Sequence, residues 1–219
     1  MKLNARTNQI LKNFASINPS IMFKPGSKLS TISPGKTIMA RANIDQEITS
    51  VFAIYDLSRF LGTVSLFTDP ELNVHDKFME IKQGARKLNY VFTEPSLIVT
   101  PPEKEIKLPD PEVKFTITAD ELQEVMKALS VLSLPEIAVV GADGKITVQA
   151  IDSKNPTGDI YSVEVGDTDA KFRMIIRAEN IKLLPGDYEV EISSKGLSHF
   201  STRDVEYWIA VESNSTYEG

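Results

Sequence analysis

The sequence predicts an α+β protein of two like units joined by a proline-rich connector. Three features lead to this. Short runs of alternating apolar and polar residues, such as "KLSTIS" and "YEVEIS", recur along the chain between Pro-Gly pairs, the pattern of antiparallel strands and their turns. A stretch with apolar residues at helical spacing opens each half. Near the midpoint, "SLIVTPPEKEIKLPDPEVKF" (96–115) sets four prolines among charges and isolated apolar residues, which blocks helix and favours an extended tether. The boundaries read as 1–95 for the first unit, 96–111 for the connector and 112–219 for the second.

The first helix follows from Leu3, Thr7, Ile10, Leu11 and Phe14, which fall on one stripe at about 100° per residue. Lys2, Arg6, Gln9, Lys12 and Asn13 occupy the other side, and Pro19 stops continuation. Strands are predicted in "SIMFK", "KLSTIS", "TIMARANI" and "SVFAIYD". A short helix fits "DLSRFLG", with Asp56 as N-cap and Gly62 as terminator, and strands follow in "TVSLFT", "ELNVHD", "FMEIKQG" and "KLNYVFTE".

Beyond the connector, "EVKFTI" is a strand. "TADELQEVMKALSVL" is a helix opened by a capping box of Thr118 and Glu121, with a stripe of Leu122, Val125, Met126, Leu129 and Leu132. "EIAVVGADGKITVQAI" is a hairpin turning at "ADG". Strands "DIYSVEVG" and "KFRMIIR" lead to a second short helix, "AENIKLL", stopped by Pro185-Gly186, and "DYEVEISS", "SHFST" and "VEYWIAVES" close the chain as strands. Each half thus reads helix, strands, short helix, strands: a repeat of element order rather than of residues.

Of 219 residues, 42% are hydrophobic and 25% charged, ordinary for a globular chain. There is no cysteine, so disulfides, thiol catalysis and cysteine-based metal sites are absent. The N-terminus lacks the apolar run of a signal peptide, and no stretch approaches the roughly 20 apolar residues of a membrane span, which reads as an intracellular protein without membrane contact. The net charge of −6 is uneven: residues 1–110 carry 14 basic and 11 acidic side chains, residues 111–219 carry 10 and 19. From Met1 to Ile44 there are seven basic residues and no acidic one, which suggests contact with a polyanion, although local chance in an acidic protein gives the same pattern.

No catalytic constellation is visible. The two histidines, His75 and His199, lie far apart in strand-like runs, and GxSxG, HExxH and GxxxxGK[ST] are missing. The carboxylates of "YEVEIS" and "YSVEVGD" alternate onto the outer strand faces as solubilising charges, no EF-hand spacing occurs, and Trp208 reads as core. The sequence implies no catalytic residue, no cofactor and no metal, which leaves binding.

"MKLNARTNQILKNFASINPSIM", "VFAIYDLSRFLG", "GDYEVEI" and the "EYWIAVES" ending resemble, in order and essentially end to end, the sliding clamps of T-even-type tailed phages, the DNA polymerase processivity factors. The resemblance implies two similar clamp domains per chain, each with antiparallel sheets outside and two helices facing a central hole, assembled head to tail as a homotrimeric ring around double-stranded DNA without sequence specificity. It implies a clamp-loader ATPase that opens the ring, docking of the replicative polymerase's C-terminal peptide, late-transcription sigma and co-activator proteins as further partners, and action in the cytoplasm of the infected bacterial host. A β-rich phage structural or assembly protein and a single-stranded-DNA-binding module are the competing readings.

The resemblance also distributes residues. DNA contacts fall to Lys2, Arg6 and Lys12 on the first helix, Arg59 on the first short helix, Lys127 on the second long helix, and Arg177 and Lys182 on the second short helix. Lys127 faces Asp120, Glu121 and Glu124 on its own helix, so the first domain is expected to dominate. Subunits would join through "KLNYVFTE" (Leu88, Tyr90, Phe92) against "DIYSVEVG" (Ile160, Ser162, Glu164) of the next copy. The partner-peptide pocket would be edged by Leu97, Ile98 and Val99, with Ile44, Ile48, Pro185 and Val211 as neighbours; these residues read equally as core closing each domain.

Overall fold

In the computed structural model, which describes residues 2–104 and 106–219, the chain divides into two compact units, 1–103 and 104–219. The first opens with helix α1 (Ala5–Ile17). The Asn4 side chain caps it, accepting the Thr7 N–H at 2.7 Å. Thr7, Ile10, Leu11, Phe14 and Ile17 are its buried face. Strand β1 (Ile21–Phe23) pairs antiparallel with β4 (Phe52–Ile54), and β2 (Gly26–Ile32) with β3 (Ile38–Ile48). Helix α2 (Leu57–Val64) starts at Asp56, whose carboxylate accepts the Arg59 N–H at 2.8 Å. Strands β5 (Glu71–Val74), β6 (Phe78–Gln83) and β7 (Arg86–Val91) make an antiparallel meander. Phe23, Phe52 and Phe92 stack in series, with centroids 4.5 and 4.8 Å apart, and tie β1 and β4 to the end of that meander.

The second unit adds β8 (Val113–Ile117) before helix α3 (Ala119–Leu132). Both halves of the capping box form: Glu121 N–H to Thr118 Oγ1 at 3.3 Å and Thr118 N–H to Glu121 Oε2 at 2.8 Å. Strands β9 (Glu136–Ala142) and β10 (Lys145–Ile151) form the expected hairpin. Asp143 (φ 53°) and Gly144 (φ 81°) both take positive φ, as a two-residue type I′ turn requires. With β11 (Tyr161–Asp167), β12 (Phe172–Arg177) and β16 (Thr216–Tyr217) the sheet order is β11-β10-β9-β12-β16. Gly141 is needed where β9 pairs with β12, because a Cβ there would lie 2.4 Å from the ring of Phe172 opposite it. Strands β13 (Tyr188–Ser193), β14 (Leu197–Ser201) and β15 (Val205–Ala210) form a second antiparallel layer, in the order β8-β13-β14-β15.

The repeat of element order is explicit. A helix, four strands, a short helical element and three strands run from α1 to β7, and the same nine elements run from α3 to β15. Four details differ from the expectation. Gly62 lies inside α2, which runs to Val64 and ends at Ser65, so Thr63 and Val64 of "TVSLFT" are helix and Ser65 to Phe67 a turn. Lys2 and Leu3 precede the N-cap rather than lying on α1. Strand β16 was not anticipated from its two residues.

Finally, "AENIKLL" is a single 3-10 turn, Ala178–Asn180. Tyrosine hydroxyls take the main-chain groups that a helix would need: the Leu184 N–H donates to Tyr207 Oη at 3.2 Å, and Tyr188 Oη donates to the Leu184 carbonyl at 2.6 Å. Ile181 and Leu184 are buried along this extended segment.

Candidate nucleic-acid interface and docking edges

Helix α1 carries the acid-free basic surface. Lys12 is exposed, and Arg6, half-buried, holds Gln9 through a 3.0 Å bond that fans it along the helix. Arg59 is exposed in the first turn of α2. Lys2 is bound by Asp69, whose hydrogen bond raises its pKa above the ordinary lysine value. On α3 the outermost stripe is Asp120, Glu124, Lys127 and Val131, all exposed. Glu124 also accepts the Tyr161 hydroxyl at 2.9 Å, a bond that raises the Tyr161 pKa. Lys127 therefore acts beside two carboxylates. Arg177 ends β12 rather than standing on a helix, and bonds Glu212 at 3.0 Å and Glu179 at 3.5 Å. Lys182, half-buried, follows the 3-10 turn.

The basic residues thus fall into two groups. Lys12 and Arg59 stand exposed, and Arg6 is bonded to the uncharged Gln9. Lys2 and Arg177 are engaged by carboxylates that spacing along the chain gave no means of finding.

The connector begins as a 3-10 turn, Pro95–Leu97, whose Leu97 is 66% exposed and followed by half-buried Ile98 and exposed Val99. Asn18 reaches it, donating from Nδ2 to the Val99 carbonyl at 3.2 Å. Ile44 and Ile48 are buried on β3 and offer no free surface of their own. In the second unit Pro185 is exposed and Val211 half-buried just after β15.

Among the described residues, β7 in the first unit and β11 in the second are two of the strands that end their sheets and so have no strand partner on one side. Which groups face outward follows from the hydrogen-bond phase. The Phe92 N–H donates to Lys77 O at 3.0 Å and the His75 N–H to Phe78 O at 2.9 Å. With Phe78 opposite Val91, alternation turns the main chain of Leu88, Tyr90 and Phe92 into β6 and leaves that of Lys87, Asn89 and Val91 outward. The Tyr90 side chain is also engaged at home, donating to the Asp56 carbonyl at 3.1 Å and meeting Phe60 edge-on.

On β11, the Thr168 N–H bonds Gly144 O at 3.1 Å, and Val148 and Ala150 stand opposite Val163 and Tyr161. The same alternation leaves Ile160, Ser162 and Glu164 outward. Val91 and Ile160, 72% and 58% exposed, are among the most exposed large apolar residues of the chain.

The histidines take part in neither surface. His75 stacks on Phe78, while His199 stacks on buried Trp208 with Nε2 3.2 Å from Glu206. Among the described residues no cluster of three or more His, Asp or Glu side chains forms a metal site, and no helix is long and apolar enough to cross a membrane.

The fold is that of the DNA sliding clamps. It matches the structure of A. fulgidus PCNA bound to the C-terminal region of FEN-1 with a TM-score of 0.68 and 15% identity, over 95% of this chain and 96% of that one. Residues 3–100 match the family described as DNA polymerase processivity factor, and residues 114–213 the family described as gp45 sliding clamp, C terminal. The sliding clamp of Vibrio phage KVP40 is 32% identical over 220 residues, covering 97% of this chain and 99% of that one. The sliding clamp of Escherichia phage RB69 is 34% identical over the full length of both chains. The chain belongs to this family of phage sliding clamps.

Proposed function

We propose that three copies close head to tail into a ring around duplex DNA, and that β7 of one copy pairs antiparallel with β11 of the next. The observation that carries this is the match between the two outward edges. A register with Val91 opposite Ile160, Asn89 opposite Ser162 and Lys87 opposite Glu164 joins an apolar pair, an amide–hydroxyl pair and an ion pair on one face. On the other face it sets Leu88 against Val163 and Tyr90 against Tyr161. A shift of two residues either way separates Lys87 from Glu164 and Val91 from Ile160. The edges also differ in charge: Arg86 and Lys87 lie on β7, and Asp159, Glu164 and Asp167 lie on or beside β11. Glu164 and Asp167 already hold Lys145 at 2.7 and 2.9 Å, so Lys87 would complete a shared cluster. Unlike edges that recognise each other generate a closed, directional ring, and pairing them removes exposed sheet edges prone to aggregation.

Inside the ring, Arg6, Lys12 and Arg59 supply the free positive charge, with Lys127 secondary and Lys2, Arg177 and Lys182 in reserve. Contacts this few suit a clamp that is held by topology and slides, since phosphate contacts position without reading sequence. The clamp works without chemistry of its own, in the cytoplasm of the infected bacterial host. A clamp-loader ATPase opens the ring, the replicative polymerase docks its C-terminal peptide on Leu97, Ile98 and Val99, and late-transcription sigma and co-activator proteins compete for the same edge.

Cysteine pairs test the joint, on a chain that contains no other cysteine. Cα atoms of a hydrogen-bonded antiparallel pair lie about 5.5 Å apart, within disulfide reach, whereas diagonal neighbours lie about 7–8 Å apart. Oxidation of Val91→Cys with Ile160→Cys is expected to give covalent trimers. Val91→Cys with Ser162→Cys, and Asn89→Cys with Ile160→Cys, are expected to stay monomeric on denaturing gels. Cross-linking only in a shifted pair refutes the register, and cross-linking in none refutes the joint.

A further inference from the structure

Asn18 is buried at 2% exposure, yet it is a polar residue at the end of a helix. Its side chain uses its whole bonding capacity. Nδ2 donates to the Ile32 carbonyl at 2.8 Å and to the Val99 carbonyl at 3.2 Å. Oδ1 accepts the Ser20 N–H at 2.9 Å and the Ser20 hydroxyl at 3.0 Å. Two donors and two acceptor positions are all an amide has. The orientation is also determined, because a flipped amide would face two carbonyl oxygens with its own oxygen. The main chain of the same residue ends α1, its N–H returning to Phe14 O at 2.9 Å.

Of these bonds, the one to Val99 reaches furthest along the chain. It fixes the connector just beyond the exposed Leu97. The near side of that loop is fixed by the Thr93 N–H, which donates to the Ala53 carbonyl at 3.0 Å. Between the anchors, only the turn bond from the Leu97 N–H to Glu94 O at 3.0 Å and a longer one from Ile98 to Pro95 O at 3.4 Å shape the segment. The next hold is an exposed ion pair, Lys24 to Glu103 at 3.0 Å. Exposed ion pairs hold weakly, so without Asn18 the fixed point after Thr93 recedes to a weak one.

We infer that Asn18 is a positioning residue for partner capture: it never meets the partner, but it holds the connector so that Leu97 and Val99 present one preformed apolar edge at the end of α1. This rests on the reading of the connector as the docking edge. A loop already ordered at both ends loses less conformational freedom when a peptide binds. Freeing the far end makes two or three side chains and their backbone order on binding, which weakens capture roughly 5- to 30-fold.

The test uses the full-length ring and a fluorescein-labelled synthetic peptide with the cognate polymerase's C-terminal sequence, read by anisotropy. Asn18→Ser is too short to reach Val99. Ser20→Ala removes one bond that orients the amide and leaves the amide in place. Leu97→Ala reports whether the connector docks peptide at all. The inference expects Asn18→Ser to weaken binding by that factor and Ser20→Ala by about 2- to 3-fold. It also expects faster hydrogen exchange at the Leu97 and Ile98 amides in both, with exchange over residues 7–14 unchanged. If Leu97→Ala weakens binding while folded Asn18→Ser and Ser20→Ala bind like the parent, Asn18 has no positioning role. If Leu97→Ala also binds like the parent, the docking edge itself is misplaced and the inference falls with it. Should Asn18→Ser fail to fold, Ser20→Ala decides by the same two readouts.

Discussion

Replacing Asn89 by proline removes the central outward N–H of β7 and leaves the bonds to β6 alone, since those come from Leu88, Tyr90 and Phe92. Proline is tolerated on a free edge whose N–H points to solvent. The isolated subunit should therefore keep its stability to within about 1 kcal/mol. At the joint, the carbonyl that received this N–H loses its partner, and the proline ring crowds the approaching strand. A buried acceptor left unpaired costs about 1–3 kcal/mol. A ring repeats the loss at each of its three joints, so association weakens by roughly 3–9 kcal/mol in all. Trimer formation scales with the cube of concentration, so the midpoint of dissociation moves up by about 10- to 2000-fold. Sedimentation velocity across a dilution series measures this midpoint, and thermal melting reports the fold. Leu88→Pro is the contrasting variant: its N–H belongs to the β6 ladder, so it should lower the melting temperature before it affects assembly. If Asn89→Pro melts early while Leu88→Pro folds, the hydrogen-bond phase assigned to β7 is inverted. If both subunits fold and the Asn89→Pro ring dissociates at the parent's midpoint, β7 is not the joint.

Charge removal separates the free cations from the engaged ones. Each phosphate contact contributes about 0.9 to the slope of log affinity against log salt. Arg6→Gln, Lys12→Gln and Arg59→Gln together should lower that slope by about 2–3, measured on short linear duplexes that can thread the ring. Lys2→Gln alone should change it by less than about 0.9, because Asp69 already holds that ammonium; an equal effect from Lys2 would overturn the division. At the start of the second unit, burial pushes the Glu112 carboxyl up, but bonds from the Ser194 hydroxyl (2.6 Å) and N–H (2.9 Å) outweigh it and leave the pKa below the ordinary 4.5. A depressed folded-state value adds stability above the unfolded pKa, lost as pH falls through the folded one. The stability lost in Glu112→Gln should therefore be constant near neutrality and shrink below about pH 4.5, a small effect for an exposed group; a gap that widens on acidification would reverse the sign.

Much of the architecture was legible because it is periodic. The stripe of α1 from Thr7 to Phe14, the capping box at Thr118 and the turn at Asp143-Gly144 are local signals, and each forms as read. The failures came where distant residues decide. "AENIKLL" has helical composition, but Tyr188 and Tyr207, supplied by later strands, take the Leu184 main-chain groups and hold the segment extended. Gly62 looked like a stop, yet nothing in its position inside α2 requires positive φ. At the candidate sites, alternation located the strands and the resemblance singled out two as pairing edges, but neither gave their hydrogen-bond phase, which needed the bonds of Phe92 and His75. Asn18 followed by proline read only as the end of a helix. Its bond to Val99 spans a gap in sequence that no spacing rule covers.

In the proposed joint, the unlikeness of β7 and β11 would set more than how many copies assemble. A basic edge bearing Val91 finds no match in a second basic edge, so copies cannot meet face to face around a local two-fold axis. In the proposed ring every joint would then run the same way around the circle. Such a ring would have a front and a back that are chemically different, with every connector on the same side. A polymerase held by such a ring inherits a heading: threaded on the duplex one way round it meets the primer end, and threaded the other way it faces away. If β7 and β11 form the joint, orientation at loading is set by the pairing of two short strands.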